Sequence, residues 1–247
     1  MTGEAMRVEA ILCDLDGTLL HTVPDIAVAV NAVLRGMRRE PIAGTVVEGY
    51  VGQGVDVLLH RVLGGSRDSR VDAGLLGAAR SAFDVAYERS NGQHATIYPG
   101  VVEGLAAFRA LGLRVACVTN KPQRATEILL ARSGLAGDFA CVIGGDALPQ
   151  RKPQPEPLWN AAERLGVAPR ACVMLGDSAN DAGAARAAGM PVVLVDYGYT
   201  EGRPIGEIDC DAVISRFTEL ADALAGRADA RFAFLRDALA GTLSRPA

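Results

Sequence analysis

Lysine is nearly missing from this chain. Of the 25 basic residues among 247, only Lys121 and Lys152 are lysine and the rest are arginine. A genome rich in arginine codons accounts for the arginines but not for the two exceptions. A compact ammonium differs from a planar guanidinium in shape and hydration, so these two positions are candidates for a point charge. Positive charge is not in excess either: 29 acidic side chains leave a net charge of -4. No basic field therefore exists to hold a nucleic-acid backbone or an anionic membrane surface. No apolar run approaches the roughly 18–20 residues of a bilayer span. The five cysteines are odd in number, far apart and without a C-x-x-C pair, which excludes a disulfide or zinc framework and fits reduced thiols in a cytoplasmic protein. His21, His60 and His94 lack metal-ligand spacing and read as surface or core-edge groups. The start, Met1-Thr2-Gly3-Glu4-Ala5, carries an acid before a short apolar run, unlike a signal peptide. Internal repeats and low-complexity tracts are also absent. What is present is 49% hydrophobic and 22% charged, ordinary for a folded chain able to bury a sizeable core.

Short apolar runs at 8–13, 113–118, 140–143, 171–175 and 192–195 read as buried strands. Between them the spacing predicts helices over 101–110, 123–132, 156–165 and 179–188. Gly112, Gly134 and Gly166 stand where left-handed C-caps belong. Apolar strands alternating with such helices predict an α/β fold, a parallel sheet covered on both faces. Residues 21–95 break the rhythm with three helical stretches (24–39, 55–63 and 71–89) and no strand between them. This is a helical insert after the first strand, and its exit is marked by the turn chemistry of Asn91-Gly92 and Tyr98-Pro99-Gly100. The end, from Arg216, is Ala-rich and helical, with a last helix over 228–243 packed on the outside. Trp159 is expected to pack its helix onto the sheet.

In an open parallel sheet, ligands bind at the carboxyl ends of the strands beside a change in strand order. After the first strand comes Asp14-Leu15-Asp16-Gly17-Thr18-Leu19, and after the second core strand Thr119-Asn120-Lys121-Pro122. Lys152-Pro153 follows the third, and Gly176-Asp177-Ser178-Ala179-Asn180-Asp181 the fourth. Asp14, Asp16, Asp177 and Asp181 cannot stand ionised together without a cation. Oxygen-only ligands of this kind suit Mg²⁺, which keeps several waters and binds through a few carboxylates plus substrate phosphate. Single aspartates also cap helices, but four at successive strand ends point to a site.

These four segments, in order, spacing and strand context, resemble the motifs of the haloacid dehalogenase superfamily over nearly the whole chain. The resemblance implies a Rossmann-like core at 1–20 and 96–226, a helical cap at 21–95, and a C-terminal extension at 227–247. It also implies an aspartyl-phosphate mechanism. Asp14 would attack phosphorus, and Asp16 would protonate the leaving alkoxide and then activate water. Thr119 and Asn120 would bind phosphoryl oxygens, and Lys152 would neutralise charge on Asp14 and the phosphoryl group. Asp14, Asp177 and the main-chain carbonyl of Asp16 would hold Mg²⁺, with Asp181 behind them. Gly17 and Thr18 would lie against the substrate. The dehalogenases of the superfamily lack the second acid, so Asp16 favours phosphoryl transfer. Phosphonate-cleaving members use a cap lysine, and this cap has none.

A finer resemblance is to the phosphoglycolate phosphatases. It rests on Asp14–Leu20 with Val23-Pro24-Asp25-Ile26, on Val51-Gly52-Gln53-Gly54-Val55-Asp56, on Tyr98-Pro99-Gly100-Val101, on Val118–Pro122 and on Lys152-Pro153-Gln154-Pro155. His21 departs from the aspartate more common there. Gly52-Gln53-Gly54 before a helix would reach over the core site and present amides to an anion. Arg61 would pair with a substrate carboxylate, or else lie on a solvated helix face. Lys121 is expected to be peripheral. Cys13 reads as a small buried hydrophobe, and the Gly-rich, Arg-bearing loop of a cysteine phosphatase is missing. The expectation is an Mg²⁺-dependent phosphatase, monomeric or homodimeric, acting on a small phosphorylated metabolite such as 2-phosphoglycolate. A sugar phosphomutase of the same architecture would keep every core residue, and a non-catalytic phosphoryl binder would not need Asp16.

Overall fold

The computed structural model describes residues 8–227, 230–232 and 234–235. Strand β1 (Ala10–Cys13) is followed by a two-residue strand β2 (Leu20–His21), four helices and β3 (Thr96–Ile97). The chain continues through β4 (Arg114–Val118), β5 (Cys141–Ile143), β6 (Cys172–Gly176), β7 (Val192–Val195) and β8 (Ala212–Ile214). Six strands form one parallel sheet in the order β5-β4-β1-β6-β7-β8. The chain builds outward on one side of β1, then returns and builds outward on the other. That reversal is the switch point at which α/β sheets open a crevice.

The strands are apolar throughout because both faces are covered. Ile11, Cys13, Val115, Cys117, Val173 and Leu175 point into one core cluster, with Phe108 and Phe217. Their neighbours Ala10, Leu12, Ala116, Val118, Cys172 and Met174 point into the other, with Leu158 and Ala185. This is the two-residue period of a pleated strand with no polar side. The helices of the insert are α1 (Val23–Gly36), α2 (Gly44–Glu48), α3 (Val55–Gly64) and α4 (Ala73–Ser90). Those of the core are α5 (Val101–Ala110), α6 (Gln123–Arg132), α7 (Glu156–Leu165), α8 (Ala179–Ala188) and α9 (Phe217–Leu224). The three glycines expected as C-caps have φ of 67–75°. No helix among the described residues is long and apolar enough to cross a membrane.

The insert has its own core, built from Val30, Leu34, Leu59, Phe83 and their neighbours. Its two connections to the sheet run side by side as the antiparallel pair β2 and β3. Asp25, fully buried on α1, fixes the exit: its carboxylate accepts the amides of Gly92, His94 and Ala95 at 2.7, 2.8 and 3.2 Å. Three elements go beyond the sequence reading: the β2–β3 pair, the single-turn α2 and the edge strand β8. Trp159 is a correction. It is 43% exposed on α7, and its indole N–H donates to Ala188 O at 3.4 Å. The expected last helix over 228–243, and with it most of the 227–247 extension, lies outside the described residues. Phe232 and Leu235 are described, and both are buried against the α9 face of the sheet.

Candidate active site

The site grows from the carboxyl ends of β1 and β6. The amide of Asp14 continues the ladder onto Leu175 O at 2.9 Å, so the first residue beyond β1 is still held by the sheet. The chain then turns over Gly17, whose φ is +88° and whose missing Cβ would lie 2.2 Å from Asp177 Oδ2. Only glycine permits both the left-handed backbone and that approach. Thr18 Oγ1 donates to Asp177 Oδ1 at 2.9 Å, and the amide of Tyr199 to Oδ2 at 2.5 Å. Gly17 and Thr18 were expected against the substrate. Thr18 instead holds Asp177, and Gly17 leaves room for that carboxylate.

Asp181, in the first turn of α8, takes the Ser178 amide and hydroxyl on Oδ2 at 3.0 and 2.7 Å. Its Oδ1 accepts from Lys152 Nζ at 2.7 Å. Lys152 also donates to Val118 O at 2.7 Å and stands 2.9 Å from Asp14 Oδ1. That last contact is an ion pair whose angle falls short of a hydrogen bond, so Asp14 Oδ1 is a buried oxygen accepting none. Asp14, Asp177 and Asp181 can place one carboxylate oxygen each within 4.8 Å of one another. Burial, and then Asp181, push the Asp14 carboxyl up to about 6 against the pull of Lys152. Burial and the two neighbouring acids push Asp177 well above the usual carboxylate range. One ammonium does not balance three buried carboxylates. The orphaned Asp14 oxygen and the all-oxygen donor set fit a hard divalent cation. Cys13, beside the nucleophile position, is held as a thiol because burial pushes its pKa up.

The β4 end brings Thr119, Asn120 and Lys121. The Asn120 amide nitrogen donates to Gly52 O and Lys152 O, both at 2.9 Å, so it clasps the cap loop to the lysine loop. Its Oδ1 is buried without a partner. Lys121 is not peripheral. It is buried, donates to both oxygens of Asp16 at 2.8 and 3.0 Å, and stands 5.0 Å from the centre of the Tyr87 ring. Burial disfavours its ammonium, and Asp16 more than offsets that, so its pKa lies above the ordinary lysine value.

Above these groups the cap roofs a partly open cavity of about 60 Å³. Its floor is Asp14, Asp16 and Lys121, and Gly52, Phe83 and Tyr87 belong to its roof. The 52–54 loop does reach over the core, and its Gly52 carbonyl accepts the Asn120 amide there. Gln53 points away, to Glu201, at 3.1 and 3.2 Å. Arg61 is a second correction, because it neither faces substrate nor lies in solvent. It is buried, donates to Tyr50 O and Arg67 O at 2.9 and 3.2 Å, and pairs with Glu201 at 2.9 Å. Asn180 Nδ2 also donates to Glu201, at 3.0 Å. Glu201 thus joins two cap residues to the core. It lies in the loop after β7, at the same edge of the sheet, where the strand-end rule points and motif spacing does not. His21 is not a ligand either. Its Nδ1 meets the Tyr199 hydroxyl at 2.8 Å, and that hydroxyl accepts the amides of Thr22 and Val23 at the entry to the cap.

Comparison with known proteins gives a consistent picture. Residues 8–189 match the family model of the haloacid dehalogenase-like hydrolases. A phosphoglycolate phosphatase of Thiobacillus denitrificans is 44% identical over 221 residues, 90% of this chain and 97% of that protein. One of Nitrosospira multiformis is 43% identical over 87% of this chain and 94% of its own. Among solved structures, a predicted phosphoglycolate phosphatase from Haemophilus somnus superposes with a TM-score of 0.80 at 31% identity. That match covers 88% of this chain and 97% of the other.

Proposed function

The chain belongs to the haloacid dehalogenase-like hydrolases and is a phosphoric monoester hydrolase, and from that premise we propose that it hydrolyses 2-phosphoglycolate to glycolate and phosphate. The observation that carries the reading is the cavity between cap and core with Asp14 and Asp16 on its floor. A volume of about 60 Å³ has room for a few waters beside the two acids, so a small leaving group fits there. The names of the relatives support the same substrate.

Asp14 is the nucleophile. Its carboxylate oxygen bonds to phosphorus as the ester oxygen leaves, and Asp16 gives that oxygen its proton. In the second half Asp16 takes a proton from water, whose oxygen attacks the aspartyl phosphate and returns Asp14 as carboxylate. Lys152, fixed by Asp181 and Val118 O, offsets charge on Asp14 through both halves. Thr119, which lines the same cavity as Asp14, supplies a donor to the phosphoryl group. Mg²⁺, held by Asp14, Asp177 and the main-chain carbonyl of Asp16, would neutralise phosphoryl charge, with Asp181 orienting the groups around it. The cap excludes water while the leaving group departs.

The test is a panel of small phosphate monoesters assayed with and without Mg²⁺. The reading expects the highest kcat/KM on 2-phosphoglycolate, free phosphate as product, and no turnover by Asp14→Asn. Preference for a sugar phosphate with isomerised product would replace it with the phosphomutase reading.

A further inference from the structure

A leaving group that ends in a carboxylate needs a cation at the far side of the cavity from the phosphoryl site. Arg61, the residue expected there, is committed to Glu201 and two carbonyls. Lys152 is committed to Asp14, Asp181 and Val118 O. Among the described residues lining the cavity, one cation remains, Lys121. An ammonium has three donors, and Asp16 takes two of them. Beside it stands Tyr87, from the cap helix α4, whose buried hydroxyl lies next to the Lys121 ammonium and donates to no acceptor. Burial pushes Tyr87 up to about 12, so at neutral pH the hydroxyl keeps its proton and can donate. Two donors thus converge on one end of the cavity, one from the core and one from the cap.

The chemistry of the leaving group matches that placement. In 2-phosphoglycolate a single methylene separates the ester oxygen from the carboxylate. Asp16 must reach the ester oxygen to protonate it. Lys121 Nζ lies 2.8 and 3.0 Å from the oxygens of Asp16. A carboxylate one carbon from the ester oxygen therefore falls beside the ammonium. We propose that Lys121 and the Tyr87 hydroxyl form the subsite for the anionic end of the leaving group, making Lys121 the specificity-determining residue of the chain. This rests on the substrate reading above and adds the residues that enforce it. The roof above them, Phe83 with Leu58 and Val55, is apolar and leaves any other anionic group on the substrate unmatched.

The experiment compares 2-phosphoglycolate with 2-hydroxyethyl phosphate, which is of similar length and ends in a neutral hydroxyl. The wild type is expected to prefer the carboxylate. Lys121→Met should erase about 10- to 100-fold of that preference in kcat/KM, mainly through KM, the scale of a lost charge-assisted hydrogen bond. Tyr87→Phe should erase several-fold. A Lys121 that only holds Asp16 would instead lower both substrates by the same factor, because both need the acid, and that result overturns the proposal. If Lys121→Met lacks the wild-type circular dichroism and melting behaviour, Lys121→Gln, which keeps a donor towards Asp16 without the charge, replaces it with the same expected loss of preference. A wild type that hydrolyses 2-hydroxyethyl phosphate as well as 2-phosphoglycolate would overturn the substrate reading and this subsite together. A wild type with the preference and a variant that retains it would overturn the subsite alone.

Discussion

Replacing Lys152 by methionine separates charge from packing at the centre of the site. The Lys152 side chain is 1% exposed and meets Asp14, Asp181 and Val118 O within 2.9 Å. Methionine has nearly the same length and volume, so the packing change is small. What disappears is the cation that faces the buried carboxylates of Asp14 and Asp181. Removing one partner of a buried pair costs about 3–5 kcal/mol, a large part of the roughly 5–15 kcal/mol of a typical domain. The cost should depend on pH, with a definite sign. Asp14 stands at about 6 with Lys152 present, above its unfolded value of 3.8. Its ionisation therefore opposes folding increasingly as pH rises from about 4 through 6, and fully above that. Without the ammonium the folded value moves higher, so at pH 5 the carboxyl is protonated and the charge left unbalanced is smaller. Urea unfolding in EDTA should give the full loss at pH 8 and a loss smaller by at least about 1 kcal/mol at pH 5. A loss under about 1 kcal/mol at pH 8, or equal losses at the two pH values, would refute this electrostatic account.

Gly17→Ala forces a methyl group to within 2.2 Å of Asp177 Oδ2 at a φ of +88°. It should cost about 1–2 kcal/mol from the left-handed backbone alone and shift the Mg²⁺ dependence of activity to higher concentration; a melt and a metal titration unchanged from wild type would contradict it. Glu201→Gln leaves the buried Arg61 guanidinium without its carboxylate and should destabilise the closed cap by about 2 kcal/mol. Steady-state kinetics should then show a larger rise in KM than fall in kcat. Mg²⁺ should raise the melting temperature of the metal-free protein more at pH 8 than at pH 5, because cation binding must displace protons from carboxyls that burial holds above their usual range. Equal shifts would argue against a site built on these acids.

The longer strands and the core helices were legible because each sheet residue is buried on its own side, which leaves uninterrupted apolar runs, and because turn glycines punctuate the helices. The elements that escaped are short. The β2–β3 pair has two residues per strand, β8 three and α2 five, too few for a period to show. Within the site, the acids were legible because they stand in the segments just after β1 and β6, and Lys152 because it is one of only two lysines and lies in the loop after β5. The contacts that escaped join residues far apart in sequence: Arg61 with Glu201, Lys121 with Tyr87, and Asn120 with the carbonyl of Gly52. Nothing local distinguishes a helical arginine that will meet a glutamate 140 residues later from one that faces water. Trp159 shows the converse, since a large apolar residue on an amphipathic helix has no local sign that it sits at the rim.

The scarcity of lysine acquires a structural reason. Both lysines are buried, and each meets an aspartate on the floor of the cavity: Lys152 with Asp14, and Lys121 with Asp16. At every other basic position the chain uses arginine, and where an arginine is buried, as Arg61 is, carbonyls and a carboxylate surround its fork on several sides. Beside Asp14 the Lys152 ammonium also meets the Val118 carbonyl, and beside Asp16 the Lys121 ammonium lies over the Tyr87 ring. Lys152→Arg should lower kcat by about 10²–10³-fold, the scale of losing one preorganised donor. The sequence alone places Lys121 at the periphery. Its contacts with Asp16 and Tyr87 now predict a loss of similar size for Lys121→Arg. Codon preference as the sole cause predicts near-wild-type kinetics for both. Steady-state assays of the two variants, with circular dichroism to confirm folding, separate these outcomes. Full activity in Lys121→Arg would mean that the cavity accommodates a guanidinium beside Asp16, and the link between composition and site would then hold for Lys152 alone.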